Sequence, residues 1–164
     1  MITVAVNYNP RLTRGEQNLL AIPNRLANLR PVMVGAIAPA ANRMLARHWE
    51  SKGAAFGHKW ATWAPSTLRK RLAKGNAEKG ILRDTDHLYK TIIRVRSGDD
   101  RLRVIQGGLR LQLNTREAKA VYHQVGTQFM PERQVIPDPL PKSFRSEVRA
   151  LLRKFILSGR VERD

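Results

Sequence analysis

Residues 91–113 read TIIRVRSGDDRLRVIQGGLRLQL, and the parsing of this stretch decides the fold. Residues 91–96 are rich in β-branched side chains, while residues 102–106 and 109–113 carry the LRVIQ and LRLQL patterns, the second alternating cleanly. Alternation puts one side of a strand on a core and the other in water. The SGDD segment and the Gly107-Gly108 pair are turn sequences, and a two-residue Gly-Gly link is a hairpin signal. The stretch therefore predicts a three-strand antiparallel meander. Residues 2–6, ITVAV, bounded by Asn-Tyr-Asn-Pro, predict a further short strand at the N-terminus.

Working outward, helical spacing takes over. Leu19, Ile22, Leu26 and Leu29 recur at helical intervals, with Pro23 expected to kink or divide them. Val34, Ile37, Ala41, Met44, Leu45 and His48 share one face of a second helix. Pro39 is expected to interrupt it, leaving a solid part over residues 40–52 that Gly53 ends. Residues 57–65 read as irregular. Ser66 is the predicted N-cap of a short helix carrying the Leu68/Leu72 pair and stopping at Gly75. The polar KGNAEKG segment follows, and residues 53–80 are expected to form a mobile basic loop.

Beyond the meander, EAKAVYHQVGT predicts a short helix ending near Gly126, and residues 129–141 a Pro-rich arm. Phe144, Val148, Leu151, Leu152, Phe155 and Ile156 define an amphipathic last helix, with Ser143 as its N-cap and Gly159 as its end. The expected fold class is α+β. A small antiparallel sheet, the meander plus the N-terminal strand, packs with N-terminal and C-terminal helices in one domain over residues 1–164.

Composition bounds the function. At 164 residues and 42% hydrophobic the chain is long and apolar enough to bury a core. It has no cysteine, which removes disulfides, thiolate metal sites and cysteine nucleophiles, and fits a reducing compartment. No apolar run approaches the roughly 20 residues of a membrane span, and MITVAVNYNP does not have the pattern of a secretory signal. The outlying quantity is charge: 30 Lys and Arg against 13 Asp and Glu, net +17. Such an excess points to an anionic partner, nucleic acid first and an acidic protein surface second. The basic residues are spread along the chain rather than gathered in one patch.

Candidate chemistry is sparse. His48, His58, His87 and His123 show no metal-ligand spacing, and there is no Gly-rich phosphate loop or nucleophile elbow. Asp84, Asp86 and His87 lie close in sequence, as in a metal nuclease. A two-metal site draws its carboxylates from several elements, however, and Asp84 reads better as a helix cap. His123 reads as a buried or interface histidine rather than a base, since no nucleophile neighbours it. Catalysis, a cofactor and a metal are not expected. Trp60 and Trp63, followed by Arg69, Lys70, Arg71 and Lys74, suit either a nucleic-acid grip or a protein anchor.

The order of local motifs carries more than any one of them. WATWAPSTLRKR is followed by ILRDTDHLYKTI, then VYHQVGT, then MPERQ. This series resembles the phage virion morphogenesis family, the tail-completion or neck proteins of Mu-like and related tailed phages. Trp63 with Pro65, or Trp60 in a shifted register, matches the first motif with Ser66, Thr67 and Lys70. Ile81, Leu82, Thr85 and Leu88 match the second, Tyr122, His123, Gln124 and Gly126 the third, and Pro131 and Arg133 the fourth. Asp86 stands where the family pattern has Gly, and Gln134-Val135 where it has Pro-Phe.

The resemblance implies a structural virion protein forming a ring of identical subunits, a hexamer or dodecamer, in the head–tail connector. Its implied neighbours are portal or head-closure proteins on one side and tail terminator or tail tube proteins on the other. Genomic DNA would pass through non-specifically, with Arg69, Lys70, Arg71 and Lys74 as lumen contacts and no membrane involved. The implied location is the virion neck, after assembly in the host cytoplasm. A tail terminator ring and a free basic DNA-binding protein are the alternatives.

Overall fold

A computed structural model describes residues 13–93, 102–105, 108–111 and 118–161. The expected first strand at residues 2–6 lies outside them. Helix α1 (Arg14–Leu20) opens on a capping box, in which the Thr13 side chain accepts from Glu16 N and the Glu16 carboxylate accepts from Thr13 N at 2.8 Å. Helix α2 (Ile22–Ala27) starts afresh beyond Ala21, because Pro23 fits a first helical turn and not an interior.

Helix α3 (Arg30–Val32) runs through a π-helical turn (Met33–Ile37) into α4 (Ala38–Glu50). Here Pro39 does not interrupt the chain as expected. The wider turn, marked by the Ala38 N–H donating to Met33 O, takes up the proline that a regular helix interior rejects. Helix α4 is the hub. Ala40, Ala41, Met44, Leu45, His48 and Trp49 are all buried, on more than one face of the helix.

Helix α5 (Pro65–Ala73) has Ala64 at its N-cap and Pro65 in its first turn, so Ser66 lies inside the helix and not at its cap. Gly75 follows its end at φ 62°. Helix α6 (His87–Ile93) overturns the first strand of the meander. Thr91, Ile92 and Ile93 are helical because Leu88/Ile92 and Tyr89/Ile93 are i,i+4 pairs turned onto the core, and tertiary packing outweighs the strand preference of β-branched residues.

Strands β1 (Leu102–Ile105) and β2 (Gly108–Leu111) form one antiparallel pair in which Gly108 faces Ile105. Gly108 thus belongs to a strand and not to the link. The expected α+β class is corrected accordingly: helices make up most of the described chain, and among the described residues a single four-residue pair provides no sheet for helices to pack on.

Helix α7 (Ala118–Val125) and helix α8 (Lys142–Ser158) complete the fold. The N-cap of α8 is Pro141 and not Ser143, while Gly159 ends it at φ 71° with its N–H on Phe155 O. Two apolar clusters result. Trp60, Ile81, Ile92, Ala120, Val135 and Phe144 pack with Trp49 and the other buried residues of α4, and Val32, Met33, Ala36, Ile37 and Phe155 lie about the π-turn. Val148 and Leu151 of α8 touch both clusters. Arg25 of α2 donates to the end carbonyls of α8, Ile156 O at 2.9 Å and Leu157 O at 3.0 Å, and to Asn18 Oδ1 at 2.9 Å. A cation at the negative end of the helix dipole is favourably placed.

Candidate functional site

The four sequence motifs meet around one cleft, and a buried staple holds them there. The staple begins with a sharp turn after α4. Gly53 adopts φ 81°, and a Cβ at that position would stand 1.9 Å from His58 O and 2.9 Å from the Trp60 ring. Only glycine allows this approach. Trp60 is buried by it, edge-on to Trp49 at 5.1 Å and to His48 at 5.7 Å.

These three rings hold the chain after Arg133 through its carbonyls. Trp60 Nε1 donates to Gln134 O at 2.8 Å, His48 Nε2 lies 2.7 Å from the same oxygen, and Trp49 Nε1 donates to Val135 O at 3.0 Å. Because a carbonyl only accepts, His48 carries its proton on Nε2. Its Nδ1 is buried without a hydrogen-bond partner. Burial lowers the His48 pKa, partly opposed by the bond to Gln134, so the ring is held neutral.

From the other side Gln124 grips the same segment. Its Oε1 accepts from Val135 N at 3.0 Å and Ile136 N at 3.1 Å, while its Nε2 donates to Ile136 O at 2.9 Å. Residues 133–136, within the Pro-rich arm, are thereby laid on the core. Arg133 completes the staple. Its Nε donates to Ala61 O and its Nη2 to Thr62 O, both at 2.9 Å, and its backbone N–H to His123 O at 2.7 Å. Its guanidinium is buried against carbonyl dipoles, and burial lowers its pKa. Next to that cation and partly buried, His123 also has a lowered pKa, burial first and Arg133 second.

The cleft above the staple has a volume of about 1060 Å³. Each motif contributes to its walls: Trp63 and Thr67, then Leu82, Thr85 and Leu88, then His123, then Pro131 and Arg133. Arg71 forms part of one wall. Its guanidinium lies 4.7 Å over the Trp63 ring, reaches Asn76 O at 3.3 Å and approaches Asp84 at 3.7 Å.

The facing wall is the turn before α6, where Gly80, Leu82 and Asp86 have φ of 85°, 64° and 58°. Asp86 accepts from Arg83 Nε at 2.8 Å, and Arg83 covers the Tyr89 ring at 4.2 Å. Asp84 does not cap α6; it pairs with Asn76, and the helix's first N–H reaches Thr85 Oγ1 at 3.5 Å.

The remaining predicted residues are placed differently. Trp60 and Gln124 belong to the staple, Pro65 starts α5, and Gly126 turns the chain at φ 72° where a Cβ would meet Glu132 N at 2.9 Å. Tyr122 faces outward with Val121 and Val125 from α7. Arg69, Lys70 and Lys74 are exposed on and just after α5. Two contributors escaped the sequence reading. Phe129 is 89% exposed in the tight turn between Thr127 and Met130 at the cleft rim, and Arg83 buttresses Tyr89. A lone Phe beside Gly126 was the only signal for the first.

Among the described residues no group of three His, Asp or Glu side chains is placed to hold a metal ion. Nor does any described helix have the length and apolarity to cross a membrane. Fold and cleft together define a small, strongly basic, mainly helical protein organised around one central helix. Comparison with family models, with characterised proteins and with solved structures finds no match to this chain.

Proposed function

We propose that this protein is a structural virion protein of a tailed phage, one ring layer of the head–tail connector through which DNA leaves the head. The observation that carries the reading is the convergence of the four motifs. Segments from Trp60 to Arg133 that resemble the neck family in order also come together in space, in one staple and one cleft. The position where that family has Gly, Asp86, adopts the left-handed φ that glycine favours.

The protein is built to be covered. Val121, Tyr122, Val125 and Phe129 are each more than half exposed beside the cleft, and Leu68 and Leu72 of α5 face solvent as well. Apolar surface of this kind marks a partner site. In a closed ring each subunit presents one surface to a different surface of the next. The cleft and the outer face of α7 form one of these surfaces. Portal or head-closure proteins and tail proteins flank the ring, in the neck of the particle, and its role is assembly and passage rather than catalysis.

The mass of the purified chain by native mass spectrometry tests this: a single closed oligomer of six or twelve copies is expected, with rings in negative-stain images. A monomer at all concentrations, or an open-ended series of oligomers, overturns it.

A further inference from the structure

We infer that the outer face of α8 is the surface through which this protein contacts the phosphates of double-stranded nucleic acid, without reading sequence. Lys142, Arg145, Arg149 and Arg153 are all exposed, and the three arginines recur every fourth residue. That spacing keeps them on one side of the helix, about 6 Å apart along its axis. None of the four has an acidic partner among the described residues. The acid of this helix, Glu147, sits on another side and pairs with Arg43 at 3.0 Å.

The chemistry favours a uniformly charged polymer. A duplex presents a negative charge about every 1.7 Å of axis, so each arginine of an evenly spaced row finds a phosphate in any register. An acidic protein surface would pair with a mixed patch that includes aromatic anchors. This row has no aromatic; of its apolar neighbours Leu152 and Ile156 are partly buried against the molecule, and Leu157, half exposed, is the one apolar side chain that continues the row. By contrast, on α5 Arg71 is already engaged by Trp63 and Asp84, which leaves a shorter row, Lys70 and Lys74, with Arg69 to one side of it. No residue of α8 lines the motif cleft, so DNA and neighbouring subunits need not compete. The inference deepens the connector reading by naming its DNA-facing surface, yet it rests on a separate measurement.

The test is fluorescence anisotropy of the full chain with a labelled random-sequence duplex of about 30 base pairs, titrated from about 50 to 200 mM salt. The combined Arg145→Gln, Arg149→Gln, Arg153→Gln variant is expected to lose more than about tenfold in affinity and to flatten the log–log salt slope by about 2.7, at 0.9 per phosphate contact. Its melting temperature should be unchanged, because all three side chains are exposed. The matched Arg69→Gln, Lys70→Gln, Lys74→Gln variant should keep most of the slope.

Full affinity in the α8 variant, or an equal loss in the α5 variant, overturns the inference. So does an α8 variant that loses poly-glutamate binding while keeping the duplex, which would make the face an acidic-protein site. Oligomer mass is measured on the same samples. A monomer that binds DNA through α8 sinks the ring alone, and a ring indifferent to the α8 arginines sinks only this inference.

Discussion

Arg133 shows how much a single side chain can organise. It is a buried cation with carbonyls for partners, so replacing it leaves Ala61 O and Thr62 O unpaired and uncouples two motifs. Arg133→Met is expected to cost about 1.5–3 kcal/mol, the range for hydrogen bonds to charged groups, measured by urea unfolding. Asp86 is a different kind of position, since its backbone has the glycine conformation while its carboxylate binds Arg83. Asp86→Gly removes the backbone strain together with the ion pair, so it should melt near the wild type. Asp86→Ala keeps the strain and loses the pair, and should melt below both. The sequence motif had pointed to this position through its missing glycine, whereas nothing local to Arg133 indicated that its partners lie some seventy residues earlier.

Among the elements, α6 and the strand expected at residues 91–96 separate what is local in the sequence from what is not. The i,i+4 pairing of α4 and α8 and the stops at Gly75 and Gly159 follow from side-chain periodicity and from the left-handed freedom of glycine, both local properties. The identity of residues 91–93 is not local. Ile92 is buried against α4 by the helix that starts at His87, and a β-branched triplet carries no sign of that partner. Likewise the π-turn absorbs Pro39 without any signal in the sequence.

The staple itself has a pH signature. His48 and His123 both titrate lower in the folded protein than when unfolded, so below about pH 6.5 the unfolded chain takes up more protons and the native state loses ground. The urea midpoint is therefore expected to be constant above neutrality and to fall as pH drops from about 6.5 toward each histidine's folded pKa. His48→Gln, which keeps a donor for Gln134 O and cannot titrate, should be less stable at pH 7.5 but show a weaker fall. A fall as steep as the wild type's would remove His48 from this account.

At the scale of the whole molecule, stability and assembly are written in different residues. Phe129 is almost fully exposed and rests on a tight turn, so Phe129→Ser should leave the monomer's melting temperature unchanged while weakening the oligomer in native mass spectra. Trp60→Ala, by contrast, should cost about 3–5 kcal/mol and abolish both, as truncation of a buried aromatic does.

The Arg25 contact joins the second helix to the eighth across 131 residues of chain. Helices α1 and α2 bury no residue of their own, and the faces of the π-turn and α4 wait for Phe155 and Phe144. During synthesis the hub therefore emerges from the ribosome well before the helix that shields it. A nascent chain halted before Lys142 should remain protease-sensitive, and folding should become possible only when α8 clears the exit tunnel. For a basic protein made amid cellular RNA, the last helix to appear would then both close the core and bring the arginine row into place.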